Sequence, residues 1–175
     1  MNDKSPLVIA VSGVKNSGKT TLLTKIVPLL RDRGLRVAVI KHDSHEFQPD
    51  IPGTDSFRLR EAGANAVAVY SGTRYMLVRE REQASVEELL SFLRDMDLVL
   101  LEGMKHSAYP KIEIVREAVS QKPVCDPATL LALCTDTSAK LEGIPTLGLE
   151  AYQEVTELIL QIYAEKQSSL IPTTG

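Results

Sequence analysis

Residues Gly13-Val14-Lys15-Asn16-Ser17-Gly18-Lys19-Thr20 follow the spacing G-x-x-x-x-G-K-[ST], which suits the cradling of a triphosphate. The two glycines let the backbone curl so that successive N–H groups point inward at phosphate oxygens. The positive end of a following helix backs them. Lys19 is expected to reach the β and γ phosphates, and Thr20 to offer its hydroxyl to Mg2+. Gly13, Asn16, Ser17, Gly18 and Thr21 complete the expected nucleotide-binding segment. Lys15 can act as a second phosphate lysine across a dimer interface, or be a solvated loop lysine, the commoner case. A chance match would leave the glycines as turn residues and Lys19 in water. The apolar run before the motif and the amphipathic segment after it argue against chance.

Metal and base contacts need carboxylates at the same edge of the molecule. Leu98-Val99-Leu100-Leu101-Glu102-Gly103 is an apolar run ending in an acid, which would place Glu102 beside Mg2+ or its bound water. A strand-end carboxylate in solvent is the bland reading, and Gly103, permitting close backbone approach, favours the functional one. Lys41-His42-Asp43 follows another short run. Asp43 is therefore expected to reach the metal or order the attacking water, giving Lys19, Asp43 and Glu102 as catalytic candidates and Thr20, Asp43 and Glu102 as metal candidates. His42, His45, Asp43 and Glu46 could instead hold a transition metal, but H-x-x-H on a loop is a weak signal. Thr135-Asp136 ends a late apolar run. There Asp136 can accept from the N1 and N2 donors of guanine, a pair that adenine lacks. Capping of the turn Thr135 to Ser138 is an alternative of nearly equal weight.

These residues need a scaffold that brings strand ends together. Leu7 to Val11, Arg36 to Ile40, Asp97 to Leu101, Lys111 to Val115 and Leu130 to Cys134 read as strands, several of them continuous apolar runs of the kind buried on both faces of a parallel sheet. Thr21 to Arg33, Thr54 to Ala62, Val86 to Leu93 and Glu154 to Lys166 read as helices, and Pro28 inside the first should kink or restrict it. Val67 to Tyr70 and Tyr75 to Arg79 flank Ser71-Gly72-Thr73-Arg74, the pattern of a β-hairpin. The expected fold is a three-layer P-loop NTPase sandwich, α/β, with a mostly parallel sheet and an antiparallel hairpin at its edge. Ligands in such a fold bind at the carboxyl ends of the strands.

A chain of 175 residues fits one domain of ordinary size, expected over residues 1–166 with a disordered tail at 167–175. Hydrophobic residues at 43% and charged residues at 25% are ordinary globular values. The net charge of −3 and pI near 5.7 offer no basic footprint for nucleic acid. No stretch reads as a signal core or a membrane span, and a cytoplasmic location is expected. Cys125 and Cys134 have no C-x-x-C spacing and read as reduced thiols.

Taken in order, Gly-Val-Lys-Asn-Ser-Gly-Lys-Thr-Thr-Leu from Gly13, Ile-Lys-His-Asp from Ile40, Pro-Gly-Thr-Asp-Ser from Pro52 with Arg58 to Ala64, Leu-Leu-Glu-Gly-Met-Lys-His from Leu100, and Cys-Thr-Asp at Cys134 resemble the molybdopterin-guanine dinucleotide biosynthesis protein B family, MobB. The first motif is shared by many NTPases, whereas the later ones in this order are far more specific. Met104 stands where the family usually has Phe, and Thr135 where it has Ser. The resemblance implies a homodimeric GTP-binding protein with weak, Mg2+-dependent GTPase activity. It would assist a guanylyltransferase partner that attaches GMP to molybdopterin, with molybdopterin a further candidate ligand. Whether it acts as an enzyme or mainly as an adaptor is left open. Pro52 to Ser56 with Arg58 and Arg60 would shape a second anionic site, or be a solvated amphipathic helix. Two other classes compete: a small-molecule kinase or ATP-dependent ligase on the same fold, and a metallochaperone, for which two scattered cysteines and three histidines supply no metal tract.

Overall fold

The computed structural model describes residues 5–43 and 46–169. In chain order it contains β1 (Leu7–Gly13), α1 (Lys19–Asp32), β2 (Val37–Lys41), α2 (Asp55–Glu61), β3 (Ala66–Tyr70), β4 (Tyr75–Arg79), α3 (Val86–Ser91), β5 (Leu98–Glu102), β6 (Lys111–Val115), a 3-10 turn (Pro127–Thr129), β7 (Leu130–Thr135), β8 (Thr146–Leu147) and α4 (Tyr152–Ser169). The chain forms two compact units, one from residues 1–42 and 89–175, the other from residues 43–88.

Six strands of the first unit form one sheet in the order β2-β5-β1-β6-β7-β8, every neighbouring pair parallel. β1 lies in the middle, paired Ile9 to Leu100 on one side and Val11 to Ile112 on the other. The apolar runs of β1 and β5 are buried on both faces, as a covered parallel sheet requires. Ile9, Val11, Leu98, Leu100, Ile112 and Ile114 form one core with Leu22, Leu23, Ile26 and Leu30 of α1 and Val155 and Ile159 of α4. The alternate residues, Ala10, Ser12, Val99, Leu101, Lys111 and Glu113, are fully buried as well. Hydrogen bonds hold loop segments over that second face: Ser12 Oγ donates to Gly103 O at 2.5 Å and Lys111 Nζ to Ser107 O at 2.6 Å. Glu113 Oε1 accepts from Val124 N at 2.6 Å.

α1 starts at Lys19, two residues before the expected Thr21, because Gly18 rather than a loop residue is its N-cap. Pro28 does not end it; the helix runs on to Asp32. Its end is a Schellman closure, in which Leu35 N donates to Leu30 O at 3.3 Å and Gly34 N to Arg31 O at 2.9 Å, with Gly34 at φ +87°. That left-handed position suits glycine. α4 starts at Tyr152 and continues to Ser169, past the expected end at Lys166. Lys166 Nζ donates to Ser5 O at 2.7 Å and Pro6 O at 2.8 Å, tying that end to the start of β1.

In the second unit, β3 and β4 pair antiparallel from Ala66–Arg79 to Tyr70–Tyr75, closed by Ser71 N donating to Arg74 O at 2.8 Å. The hairpin is where the sequence places it, but it forms a two-stranded sheet of its own. That corrects the expected edge position: β2 and β8 end the large sheet. Thr54 caps α2 by accepting from Phe57 N at 3.4 Å. Two short elements, the 3-10 turn and the two-residue β8, escaped sequence reading.

Candidate phosphate site

The turn after β1 is shaped by three left-handed residues, Gly13 at φ +135°, Asn16 at φ +63° and Gly18 at φ +106°. A Cβ on Gly13 would stand 2.5 Å from Ile114 O and 2.8 Å from Ser17 Oγ, so only glycine lets the loop pass that close to β6. Gly18 has open space around its Cβ position; its need for glycine is conformational. With Gly18 as N-cap, no side chain caps α1 and its first turn carries no acid. The orphan N–H groups of that turn and the helix dipole therefore face an anion site uncontested. Ser17 Oγ is buried without a partner among the described residues, a further hydroxyl held in the loop.

Lys19 folds back into the loop, its Nζ donating to Val14 O at 2.7 Å and Gly13 O at 3.4 Å. Burial lowers its pKa, Glu102 opposes that, and Lys105 lowers it further. An incoming anion would favour the charged form. Thr20 Oγ1 donates to Glu102 Oε1 at 2.7 Å, and Glu102 is only 8% exposed. Helix and strand thus bring together the two hard oxygen donors that the sequence assigned to one metal, a donor set that suits Mg2+. Gly103 and Met104 follow at φ +103° and +59°, and Gly103 N donates to Val11 O at 2.9 Å.

The remaining candidates sort by strand end. Lys41 pairs in register with Glu102, and His42 N donates to Glu102 O at 3.1 Å. Asp43 is exposed and begins the second unit. His45 lies outside the described residues, and among those described no group of three or more His, Cys, Asp or Glu could hold a metal. Lys15 and Thr21 are exposed. Thr135 is buried and its hydroxyl accepts from Thr137 N at 2.9 Å, so it, not Asp136, closes the turn. Asp136 Oδ1 accepts from Glu117 N at 2.7 Å, tying the chain after β6 to the end of β7. Gly13, Lys41, Glu102 and Thr135 end parallel strands, and the carboxyl edge of one sheet collects them, the ligand edge of an open α/β sheet.

In the second unit, Arg58 lies 3.9 Å from Asp55. Arg60 meets Glu80 at 3.3 Å and sits 5.9 Å from the Phe57 ring centre. Asp50 Oδ1 accepts from Ile51 N at 2.8 Å and Thr54 Oγ1 at 3.3 Å. Its carboxyl is held below the usual range, first by Ser56. Among the described residues, a groove and a smaller cavity in the first unit lie away from the phosphate loop's own residues. A broad groove of about 760 Å3 is lined by Arg33 and Glu157, which pair with each other at 2.6 Å. It lies at the far end of α1, roughly 20 Å from Lys19 at ~1.5 Å per helical residue. The smaller cavity, about 280 Å3, is walled by segments 105–108 and 126–129.

A family described as Molybdopterin guanine dinucleotide synthesis protein B, MobB, matches residues 8–136. The chain is 32% identical over 169 residues to the molybdopterin-guanine dinucleotide biosynthesis adapter protein of Escherichia coli, covering 92% of this chain and 95% of that one. Its identity to the Haemophilus influenzae protein of the same name is 40% over 124 residues, 69% of each chain. Among solved structures, Bacillus subtilis MobB superposes with a TM-score of 0.72 at 26% identity, covering 88% of this chain and 96% of that one. A MobB homolog from Bacillus stearothermophilus gives 0.68 at 26%, with 90% and 98% covered.

Proposed function

Because the chain belongs to the molybdopterin guanine dinucleotide synthesis protein B family, we propose that it binds GTP with Mg2+ and serves as the adapter of guanylyl transfer to molybdopterin. The observation that carries the nucleotide reading is the uncapped first turn of α1 beside Lys19 and the Thr20–Glu102 pair. In this reading Gly13 to Thr21 hold the phosphates, Lys19 carries charge at the β and γ positions, and Thr20, Glu102 and Asp43 supply the oxygens for the metal. Mg2+ neutralises phosphate charge when bound. Asp136 keeps one carboxylate oxygen on Glu117 N and presents the other to guanine, with Thr135 fixing the turn beside it.

Hydrolysis is in-line attack of water on the γ-phosphate, with Asp43 or Glu102 orienting the water. No arginine is assigned to the transferring group, so turnover alone is slow. The partner is the guanylyltransferase, the protein works as a homodimer, and its location is cytoplasmic. No described helix is long and apolar enough to cross a membrane. Nothing among the relatives above favours a kinase or ligase.

Calorimetry with GTP and ATP in Mg2+ tests this. GTP binds more tightly than ATP, and Lys19→Ala weakens GTP at least tenfold, since a charge-assisted bond is worth about 1.5–3 kcal/mol. Asp136→Asn, its fold checked by circular dichroism, narrows the GTP-over-ATP preference. An ATP preference in the unsubstituted protein would overturn the guanine assignment.

A further inference from the structure

Ser12 stands in β1 directly before Gly13, fully buried in a strand whose other side chains are apolar. Its hydroxyl donates to Gly103 O at 2.5 Å, across 91 positions of sequence, and the nucleotide reading makes no use of it. The acceptor belongs to the residue directly after Glu102. The peptide between Glu102 and Gly103 is held from two sides, its N–H donating to Val11 O at 2.9 Å and its carbonyl accepting from His42 N at 3.1 Å. There the pairing of β1 with β5 ends, at Val11 and Glu102. The next peptide, between Gly103 and Met104, is the one that Ser12 holds.

That peptide joins two left-handed residues, Gly103 at φ +103° and Met104 at φ +59°. A methionine keeps such a conformation only where its surroundings impose it. Met104 O accepts from Ser107 N at 2.9 Å and Ser107 Oγ at 2.8 Å, local bonds that shape the turn without tying its start to the sheet. The bond from Ser12 supplies that tie.

Paired residues of a sheet share a face, and successive residues alternate. Val11 belongs to the core that includes Leu22 and Leu23 of α1. Glu102, in register with Val11, therefore points to the α1 face, where Thr20 Oγ1 donates to its Oε1 at 2.7 Å. Ser12 points to the opposite face. It has no access to a metal held by Thr20 and Glu102, and can act on one only through the backbone.

We propose that Ser12 is a positioning residue for the metal carboxylate: by fixing the Gly103 carbonyl it keeps the strained turn in place and the Glu102 side chain aimed at Thr20. The role rests on the reading of Thr20 and Glu102 as metal ligands. Without the hydroxyl the turn relaxes, and Glu102 loses its setting while the phosphate loop keeps its own bonds.

Calorimetric titration with GTP, once in Mg2+ and once in EDTA, gives the factor by which the metal tightens binding. Ser12→Ala should cut that factor at least threefold, the range of one lost hydrogen bond, and leave the affinity in EDTA unchanged. Ser12→Cys fills the buried position with a weak donor; it should show the same loss, and it carries the test if the alanine variant does not fold. A loss in EDTA as large as the loss in Mg2+ would place Ser12 in the phosphate loop's own support and overturn the role, as would a factor unmoved in either folded variant. Glu102→Gln in the same titrations separates two failures. A factor unmoved by Glu102→Gln overturns the metal reading and the role of Ser12 with it. A factor lost in Glu102→Gln but kept in the Ser12 variants overturns the role of Ser12 alone.

Discussion

The glycines of the phosphate loop are required for different reasons, and substitution separates them. Gly13→Ala sets a Cβ 2.5 Å from the Ile114 carbonyl oxygen, a backbone atom that cannot swing aside, so the strain reaches the pairing of β1 with β6. Gly18→Ala meets no neighbour and costs only its φ of +106°, on the order of 1–3 kcal/mol. Gly13→Ala is expected to lower the thermal midpoint further than Gly18→Ala, whose strain alone corresponds to a drop of roughly 2–12 °C in a chain this long. Equal midpoints, read by circular dichroism, would refute the packing argument. Sequence spacing is enough to flag both glycines, because a phosphate loop demands them, but it cannot say which is wedged against the sheet. Likewise Thr20 and Glu102 were legible as separate oxygen donors, whereas Ser12, which fixes Gly103, was not: a serine inside an apolar run carries no signal of its partner 91 residues away.

At the scale of elements, the amino ends of β2 and β5 are joined by a clamp that tests how the sheet is held. Asp97 Oδ2 accepts from Arg36 N at 2.8 Å and Nε at 3.2 Å, and Oδ1 from Nη2 at 3.3 Å. The guanidinium holds the Asp97 carboxyl below the usual range. A carboxylate whose folded pKa lies below its unfolded value, about 3.9, stabilises the fold fully above that value. The contribution is lost as pH falls through the folded pKa. Because Arg36 is largely exposed, solvent screening keeps the contribution to roughly 1 kcal/mol. Asp97→Asn should therefore be less stable in urea at pH 7 and approach the unsubstituted protein below pH 3; a stability difference that stays constant over that range rules the clamp out. The strands themselves were legible because apolar runs such as Leu98 to Leu101 have one stable place, the middle of a covered sheet. β6 was legible as a strand but not for what it buries: Lys-Ile-Glu-Ile-Val alternates like a half-exposed strand, yet all five residues are buried. Its charges are satisfied by groups outside the strand, Lys111 by Ser107 O and Thr129 Oγ1 and Glu113 by the N–H groups of Val124 and Cys125.

For the whole molecule, the order of Lys-His-Asp, Pro-Gly-x-Asp-Ser and Glu-Gly-x-Lys-His made the family legible, since these segments come from both compact units and are rarely found together. What a single chain cannot display is its assembly. The proposed homodimer has a place in the hairpin, where Tyr70 and Tyr75 pair in register next to Ala68 and Leu77 on one face. Tyr70 is 85% exposed, Tyr75 76% and Leu77 48%. An apolar face with open strand edges is a surface that a soluble protein covers or blunts with charge, and only Arg79 at its end does so here. A second copy, pairing hairpin to hairpin, would cover the same residues on both chains, as two-fold symmetry requires. Light scattering of the purified protein, with and without Mg-GTP, should then give twice the chain mass. Tyr70→Lys combined with Leu77→Lys, two exposed positions where the fold loses little, should halve it. A dimer that survives both substitutions places the interface elsewhere, and a monomer before any substitution removes the homodimer from the proposal.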